Sequence, residues 1–433
     1  RTMPPIPAPN NQASLDALRA LLGQRSLLAA LEVFHAELGD IFQLPLPGFN
    51  PVMLAGPNAT HFVLVEGRGD LRWRPEGDPV ARLLRQGVLV TDGEAHDDLR
   101  REMAPALHRR MLAGYVAAMV ASADRVLDTW DAARQPLDML VEMRRIALLI
   151  LMQTLFSVDF SADLDRLWQP ILRALRYISP GPWLVWRAIP RPGYRAALRE
   201  LDDYLHRLIA ERRERPTPGD DLLNLLIGAG MSDDLIRDQL LTMLIAGHDT
   251  STALLSWALF ALAQHPHVQD QARREVLDVI GTSAPEHAHA SDLRYLEQVI
   301  NETLRLYPPI HLGMRIATAD LGYGGYTIPA GTRVLYSIYL THRDPRYWPE
   351  PAAFDPARFA PEHTRQRPPY TFLPFGGGPR NCMGMAFAQV EAKIVLARIL
   401  QRYELADAGK RVRLHMGATL EPRPGVLLHV RRR

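Results

Sequence analysis

Residues 375–384 read Phe375-Gly376-Gly377-Gly378-Pro379-Arg380-Asn381-Cys382-Met383-Gly384, and Cys382 is the only cysteine in the chain. A lone cysteine closes no intrachain disulfide, and it lacks the Cys and His neighbours of a tetrahedral zinc site. Two readings remain, a buried structural thiol, the commoner fate of an isolated cysteine, or a functional one. Packing alone has no need of three consecutive glycines and a proline ahead of a thiol, with a further glycine two places after it. Glycines let backbone approach a flat ligand closely and reach positive φ. The pattern from Met385 to Arg402 predicts a helix, so Cys382 stands just before a helix N-terminus, where free N–H groups and the dipole favour a thiolate. Such surroundings suit an anionic sulfur ligand to iron.

Working outward from this loop, the chain of 433 residues shows no low-complexity linker and no internal repeat, which favours one large unit over two or three domains. Its hydrophobic fraction of 47% and charged fraction of 23% are those of an ordinary globular protein. A net charge of +2 is too small to argue for nucleic acid. Lysine occurs only at Lys393 and Lys410, and this arginine bias with 35 prolines hints at a GC-rich or heat-adapted source. Residues 1–9 are proline-rich, and the longest apolar run, 146–152, is far short of the ~18 residues of a spanning helix. The expectation is a cytoplasmic protein with no visible signal peptide or anchor; the chain does not start with Met, which leaves truncation of the N-terminus open.

Residues 14–39 carry apolar positions at helical spacing, after which Ile41-Phe42-Gln43-Leu44 and Val52-Met53-Leu54-Ala55 predict a β-hairpin. His96 and Arg100 stand four apart on one helical face, either clamping a pair of carboxylates or forming a solvated charged face. From 112 to 230 the pattern is almost all helical, broken by prolines. The segment 178–194, with Trp183, Trp186 and four prolines, reads as an interhelical loop with aromatic plugs. Ser232 caps a helix running without proline to His265, about 50 Å at 1.5 Å per residue. In its middle stand Ala246-Gly247-His248-Asp249-Thr250-Ser251, where the glycine and hydroxyls permit a local widening. Polar residues in the middle of a core helix are costly unless they have a task; the alternative is a solvated stripe. Ser291 opens a further helix to Tyr307, with Glu302 and Arg305 on one face, and strands follow near Tyr326-Thr327-Ile328 and Arg333-Val334-Leu335-Tyr336. Residues 412–415 and 426–430 predict strands flanking a turn at 417–425.

Phe375, Gly378, Arg380, Cys382 and Gly384 resemble, spacing included, the proximal haem signature of the cytochrome P-450 monooxygenases, soluble bacterial type. The resemblance runs from the His96 helix to the C-terminal strands, with the motifs in the family's order. It implies a mostly α fold with a small β portion, haem lying between the long central helix and the Cys-loop helix. It also implies a single catalytic domain over 1–433, β-rich near 40–66, 310–340 and 410–430. Haem b is the implied cofactor, with Cys382 as axial thiolate, Phe375 near the sulfur and Gly384 closing the loop. Arg380, His96, Arg100 and Arg315 are the implied partners of the propionates. Ala246 and Gly247 belong to the oxygen-binding groove, in which Thr250 holds reduced oxygen and Asp249 relays protons. Phe354-Asp355-Pro356-Ala357-Arg358-Phe359 resembles the segment whose arginine, here Arg358, joins Glu302 and Arg305 in a structural network. For the segment 178–194 the resemblance implies a lid over a substrate channel, as the alternative to an interhelical loop.

The implied reaction inserts one atom of O₂ into a hydrophobic substrate, with electrons from a separate ferredoxin or flavodoxin and its reductase, by a monomer with no membrane anchor. Pocket positions Leu241, Ile245, Ala246, Ile310, Leu312, Thr419 and Leu420 are apolar or small. The Tyr307-Pro308-Pro309 ending resembles members that oxidise fatty acids, terpenoids or carotenoids. A peroxide-driven hydroxylase and a non-enzymatic haem carrier or gas sensor are the competing readings; retention of both Cys382 and the Asp249-Thr250 pair speaks against them.

Overall fold

The computed structural model describes residues 3–45, 48–73, 77–132, 135–180 and 193–433. Its axis is the helix Asp233–Gln264, capped by Ser232, whose Oγ accepts from the Leu235 N–H at 3.3 Å, with Asp233 and Asp234 complementing the dipole in the first turn. Most of this central helix is buried, because helices and strands pack around it. Met139–Leu155, itself buried almost throughout, lies along it, as do Tyr194–Glu214, Arg294–Leu306 and the helix of the cysteine loop, Met385–Arg402. The central helix is continuous through Gly247, without the local widening that its composition permits. Residues 287–291 form a separate 3₁₀ turn, and the next helix starts at Arg294 rather than Ser291.

The predicted hairpin pairs Ile41 with Leu54 and Gln43 with Val52. It belongs to a five-stranded sheet in the spatial order Ile41–Gln43, Val52–Ala55, Arg333–Ser337, Leu312–Ala317, Leu71–Arg72. All four residues of Val52–Ala55 are buried. Val52 and Leu54 face one apolar cluster, Met53 and Ala55 another, as the two-residue period of a strand covered on both faces requires. Gly313 lies opposite Tyr336 in this sheet, and a Cβ there would fall 2.0 Å from the tyrosine ring.

The C-terminal strands differ from expectation. Arg413–Met416 turns back at once onto Leu420–Arg423, whereas Leu427–Arg432 pairs with Tyr403–Asp407 and with Leu137–Asp138. The turn is therefore only three residues long, and the last strand finds its partner directly after the cysteine helix. Tyr403–Asp407 alternates only over Tyr403, Glu404 and Leu405, too short a run to stand apart from the helix that feeds it. Mostly helix with small sheets is the outcome.

Candidate active site

Gly376 and Gly378 adopt φ of +69° and +64°. A Cβ on Gly378 would stand 2.4 Å from the Leu64 carbonyl oxygen, so the loop needs glycine there both for its backbone and for its approach to the helix Pro57–Leu64. The Cys382 N–H closes the loop on the Phe375 carbonyl at 2.8 Å, and Gly384 is the cap residue of the cysteine helix. Cys382 has an accessible surface, yet protein surrounds it so closely that burial pushes its thiol pKa up, against the Gly384 N–H and the Arg100 guanidinium. The two observations agree for a sulfur on an interior wall. Burial thus works against the favourable effect expected of the helix N-terminus, while the Gly384 N–H and Arg100 work with it.

Four basic residues gather beside this loop. Arg100 donates to Asn381 Oδ1 at 2.6 Å, and burial, opposed by the field of Cys382, lowers its pKa. Buried His96 bonds Asp97 through Nδ1 at 2.8 Å, and its pKa is lowered chiefly by burial, with Arg380 and Arg100 adding to the effect. Arg380 donates to Asp92 Oδ1 at 2.7 Å and to the Thr91 carbonyl, and burial brings its pKa down to about 10. Its guanidinium lies 5.1 Å from the centroid of Trp73, whose other neighbour is Arg315 at 4.1 Å. Arg315 is buried and also lies 5.4 Å from the centroid of the Tyr336 ring. His96 at 3% exposure excludes the solvated-face reading of the His96–Arg100 pair.

On the central helix, Met243, Ala246, Gly247 and Thr250 keep accessible surface while their neighbours are buried, a stripe at helical spacing. Thr250 Oγ1 donates to the Ala246 carbonyl at 2.7 Å. Gly247 packs so closely on the neighbouring helix that a Cβ would come 2.3 Å from Leu151 Cδ1. Asp249 is buried and held from two sides, by Arg144 Nη2 at 3.0 Å and Thr419 Oγ1 at 2.8 Å; Arg144 also reaches Glu421 at 3.5 Å. Burial, and then Asp249, push the Glu421 pKa up. His248 is fully buried, and burial takes its pKa down to about 4, so it is neutral. With His248, Asp249 and Ser251 all buried, the solvated-stripe alternative fails.

Glu302 and Arg305, both fully buried, form a bidentate pair at 2.7 Å through each nitrogen. Arg358 approaches the same carboxylate at 3.4 Å, and Arg305 also donates to the Pro351 and Ala353 carbonyls. The three predicted members are thus in one place. The pocket positions are not: Leu241 and Leu420 have no accessible surface, and Ile245 and Thr419 retain 5% and 3%. Leu420 belongs to the cluster with Phe42 and Met53, and Thr419 is occupied by Asp249. Ile310 is exposed and Leu312 partly so. Sequence reasoning missed Met243, although the phase of Ala246 and Thr250 selects it, three and seven positions earlier. It also missed Arg144, whose signal was an arginine inside the apolar helix Met139–Leu155. Trp183 and Trp186 of the expected lid lie outside the described residues.

An accessible thiol deep in the fold, four basic groups to one side of it and an open stripe on an otherwise buried helix fit a flat, apolar, iron-bearing macrocycle with acidic substituents. Together with the helical fold they define a haem-thiolate protein. The chain belongs to the cytochrome P450 family, whose model, Cytochrome P450, matches residues 4–429, and it is a monooxygenase of that family. It is 33% identical over 427 residues to Putative cytochrome P450 139 of Mycobacterium bovis, covering 93% of this chain and 97% of the relative. To Cyclooctatin synthase of Streptomyces melanosporofaciens it is 32% identical over 429 residues, covering 94% and 90%. The crystal structure of the cytochrome P450DA heme domain superposes with a TM-score of 0.89 at 28% identity, covering 100% of this chain and 99% of the other. Retinoic acid-bound cyanobacterial CYP120A1 superposes at 0.87 and 25% identity, covering 100% of both.

Proposed function

We propose that this chain, acting as one catalytic domain, is a haem b monooxygenase of a hydrophobic substrate of terpenoid, fatty-acid or carotenoid type, driven by a separate ferredoxin or flavodoxin and its reductase. The observation that carries the reading is the accessible Cys382 thiol between the Gly384 N–H and Arg100. Haem, when bound, activates O₂ with two electrons and two protons, one oxygen entering the substrate and the other leaving as water. Cys382 supplies the anionic ligand. His96, Arg100, Arg315 and Arg380 bind and orient the acidic edge of the cofactor, with Trp73 fixing the two guanidinium planes beside it.

The open stripe presents apolar Met243 and Ala246 to a substrate, with the Thr250 hydroxyl able to hand on a proton. Asp249 is the second member of that path, and releases its proton-carrying capacity by loosening its bonds to Arg144 and Thr419. The substrate class draws support from this apolar stripe, from a relative named for cyclooctatin synthesis and from a structural neighbour that binds retinoic acid. Among the described residues no helix is long and apolar enough to cross a membrane, in keeping with a cytoplasmic monomer. A spectral-shift titration with diterpenes, fatty acids and carotenoids tests the reading: a shift with at least one class is expected. No shift with any of them would remove the substrate assignment.

A further inference from the structure

The cysteine helix carries a second buried acid, Glu391, 2% exposed. Its Oε2 lies 2.5 Å from the Oγ of Ser251, the residue after Thr250 on the central helix. Among the described residues the other buried carboxylates, Glu142, Asp221, Asp238, Asp249, Glu302 and Asp344, each have an arginine partner. Glu391 has none. An ionised carboxylate so placed has neither water nor a cation to offset its desolvation, so the group keeps its proton. The Ser251 hydroxyl donates to this carboxyl oxygen.

The turn thus held is weak in itself. Thr250, Thr252 and Ser256 all spend their hydroxyls on carbonyls one turn back, a pattern that loosens helices. On one flank of Thr250, Asp249 is tied to Arg144 and Thr419; on the other, Ser251 is tied to Glu391. We propose that Glu391, acting through Ser251, is a positioning residue that fixes the height of the Thr250 turn over Cys382, joining the two helices on which the reaction depends. The proposal rests on the haem-thiolate reading above.

Burial, partly offset by Ser251, pushes the Glu391 pKa up to about 8. No ionised group contributes to that shift. The charged side chains of the elements packed around are engaged elsewhere: Asp249 with Arg144, Lys393 with Glu297, Arg398 and Arg402 with Asp124, Arg273 with Asp270 and two carbonyls, and Glu302 with Arg305. His248 on the central helix is neutral. Below about pH 8 the carboxyl is neutral; above it Glu391 becomes a buried anion that draws the Ser251 hydroxyl more tightly and pulls toward water, and the turn shifts.

The test uses the holoenzyme with Glu391→Gln, which keeps an acceptor for Ser251 and cannot ionise, and Glu391→Ala, which has none. Infrared spectra at neutral pH are expected to show a protonated-carboxyl band that is lost in Glu391→Gln and fades in the native protein as pH rises through about 8. The C–O stretch of the reduced carbon monoxide complex reports the surroundings of Thr250. It is expected to shift over the same pH interval in the native protein, to stay flat in Glu391→Gln and to be displaced at every pH in Glu391→Ala. An unchanged carboxyl region in Glu391→Gln, or a pH-dependent C–O stretch surviving in it, overturns the proposal. A native-like stretch in Glu391→Ala does the same, and if that variant fails to fold, the native and Gln proteins still decide. A native carbon monoxide complex without the red-shifted Soret band of thiolate ligation removes the haem-thiolate reading and this clamp with it. A normal Soret band with a flat C–O stretch removes the clamp alone.

Discussion

In the proposed reaction the chemistry is divided between Cys382 and Thr250, two residues whose surroundings are opposite. The thiol is hemmed in, and its pKa is held up by burial; a bound iron would supply the positive charge that favours the thiolate. Cys382→His is expected to lose the red-shifted Soret band of the reduced carbon monoxide complex, which the native protein should show. Thr250→Ala removes one hydroxyl while improving helix propensity, so folding and haem uptake should survive while more of the reducing equivalents escape as hydrogen peroxide. Unchanged peroxide per reducing equivalent would show that this hydroxyl handles no proton. Asp249→Asn does more than remove a titratable group. It leaves Arg144 with Glu421 alone at 3.5 Å, and breaking a buried ion pair costs about 3–5 kcal/mol. Slower turnover with a larger solvent isotope effect is expected beside a lower melting temperature; the isotope effect separates proton delivery from stability.

At the scale of elements, the Arg294–Leu306 helix is anchored by charge rather than by its apolar face alone. Glu302→Gln leaves Arg305 fully buried without its anion, and a loss of about 3–5 kcal/mol is expected, read as a lower denaturation midpoint and weaker haem retention. The same region contains His342, fully buried, whose Nε2 accepts the Leu373 N–H at 2.9 Å. Burial, then the field of Arg305, takes its pKa from 6.5 to about 3. Between those values the unfolded chain binds a proton that the folded one refuses, so stability is full above pH 6.5 and falls as pH drops toward 3. His342→Gln should flatten that slope in a melting-temperature series; an unchanged slope would place the acid sensitivity elsewhere. How much of this was legible in the sequence follows from how local each signal is. The cysteine loop, the central helix and the Glu302–Arg305 pair are written in neighbouring residues. Arg144–Asp249, Thr419–Asp249 and Ser251–Glu391 join positions far apart in the chain, and no local period announces them. The pocket was misplaced by helical phase: Leu241 and Ile245 point away from the stripe that Met243, Ala246 and Thr250 share.

For the whole molecule the remaining question is where electrons enter. Arg100, Arg101, Arg109 and Arg110 crowd one stretch of the chain, and the structure separates their tasks. Arg100 turns inward to Asn381 of the cysteine loop, which puts its helix, Gly93–Met103, against that loop. Arg101, Arg109 and Arg110 are exposed, and Arg101 is paired with Asp98 at 2.8 Å. That leaves Arg109 and Arg110, at the start of the helix Arg109–Leu127, as the outward charge next to the thiol-bearing side. An acidic ferredoxin or flavodoxin meeting them gains encounter rate more than affinity, and the gain is screened within about 10 Å at 0.1 M salt. Reduction by such a donor is expected to slow as salt rises, and the Arg109→Glu, Arg110→Glu double variant to be slow at low salt and nearly indifferent to more. The measurement is the second-order rate of haem reduction across an ionic-strength series, made with the native protein and with the variant. If the variant keeps the native slope, the donor docks on another face.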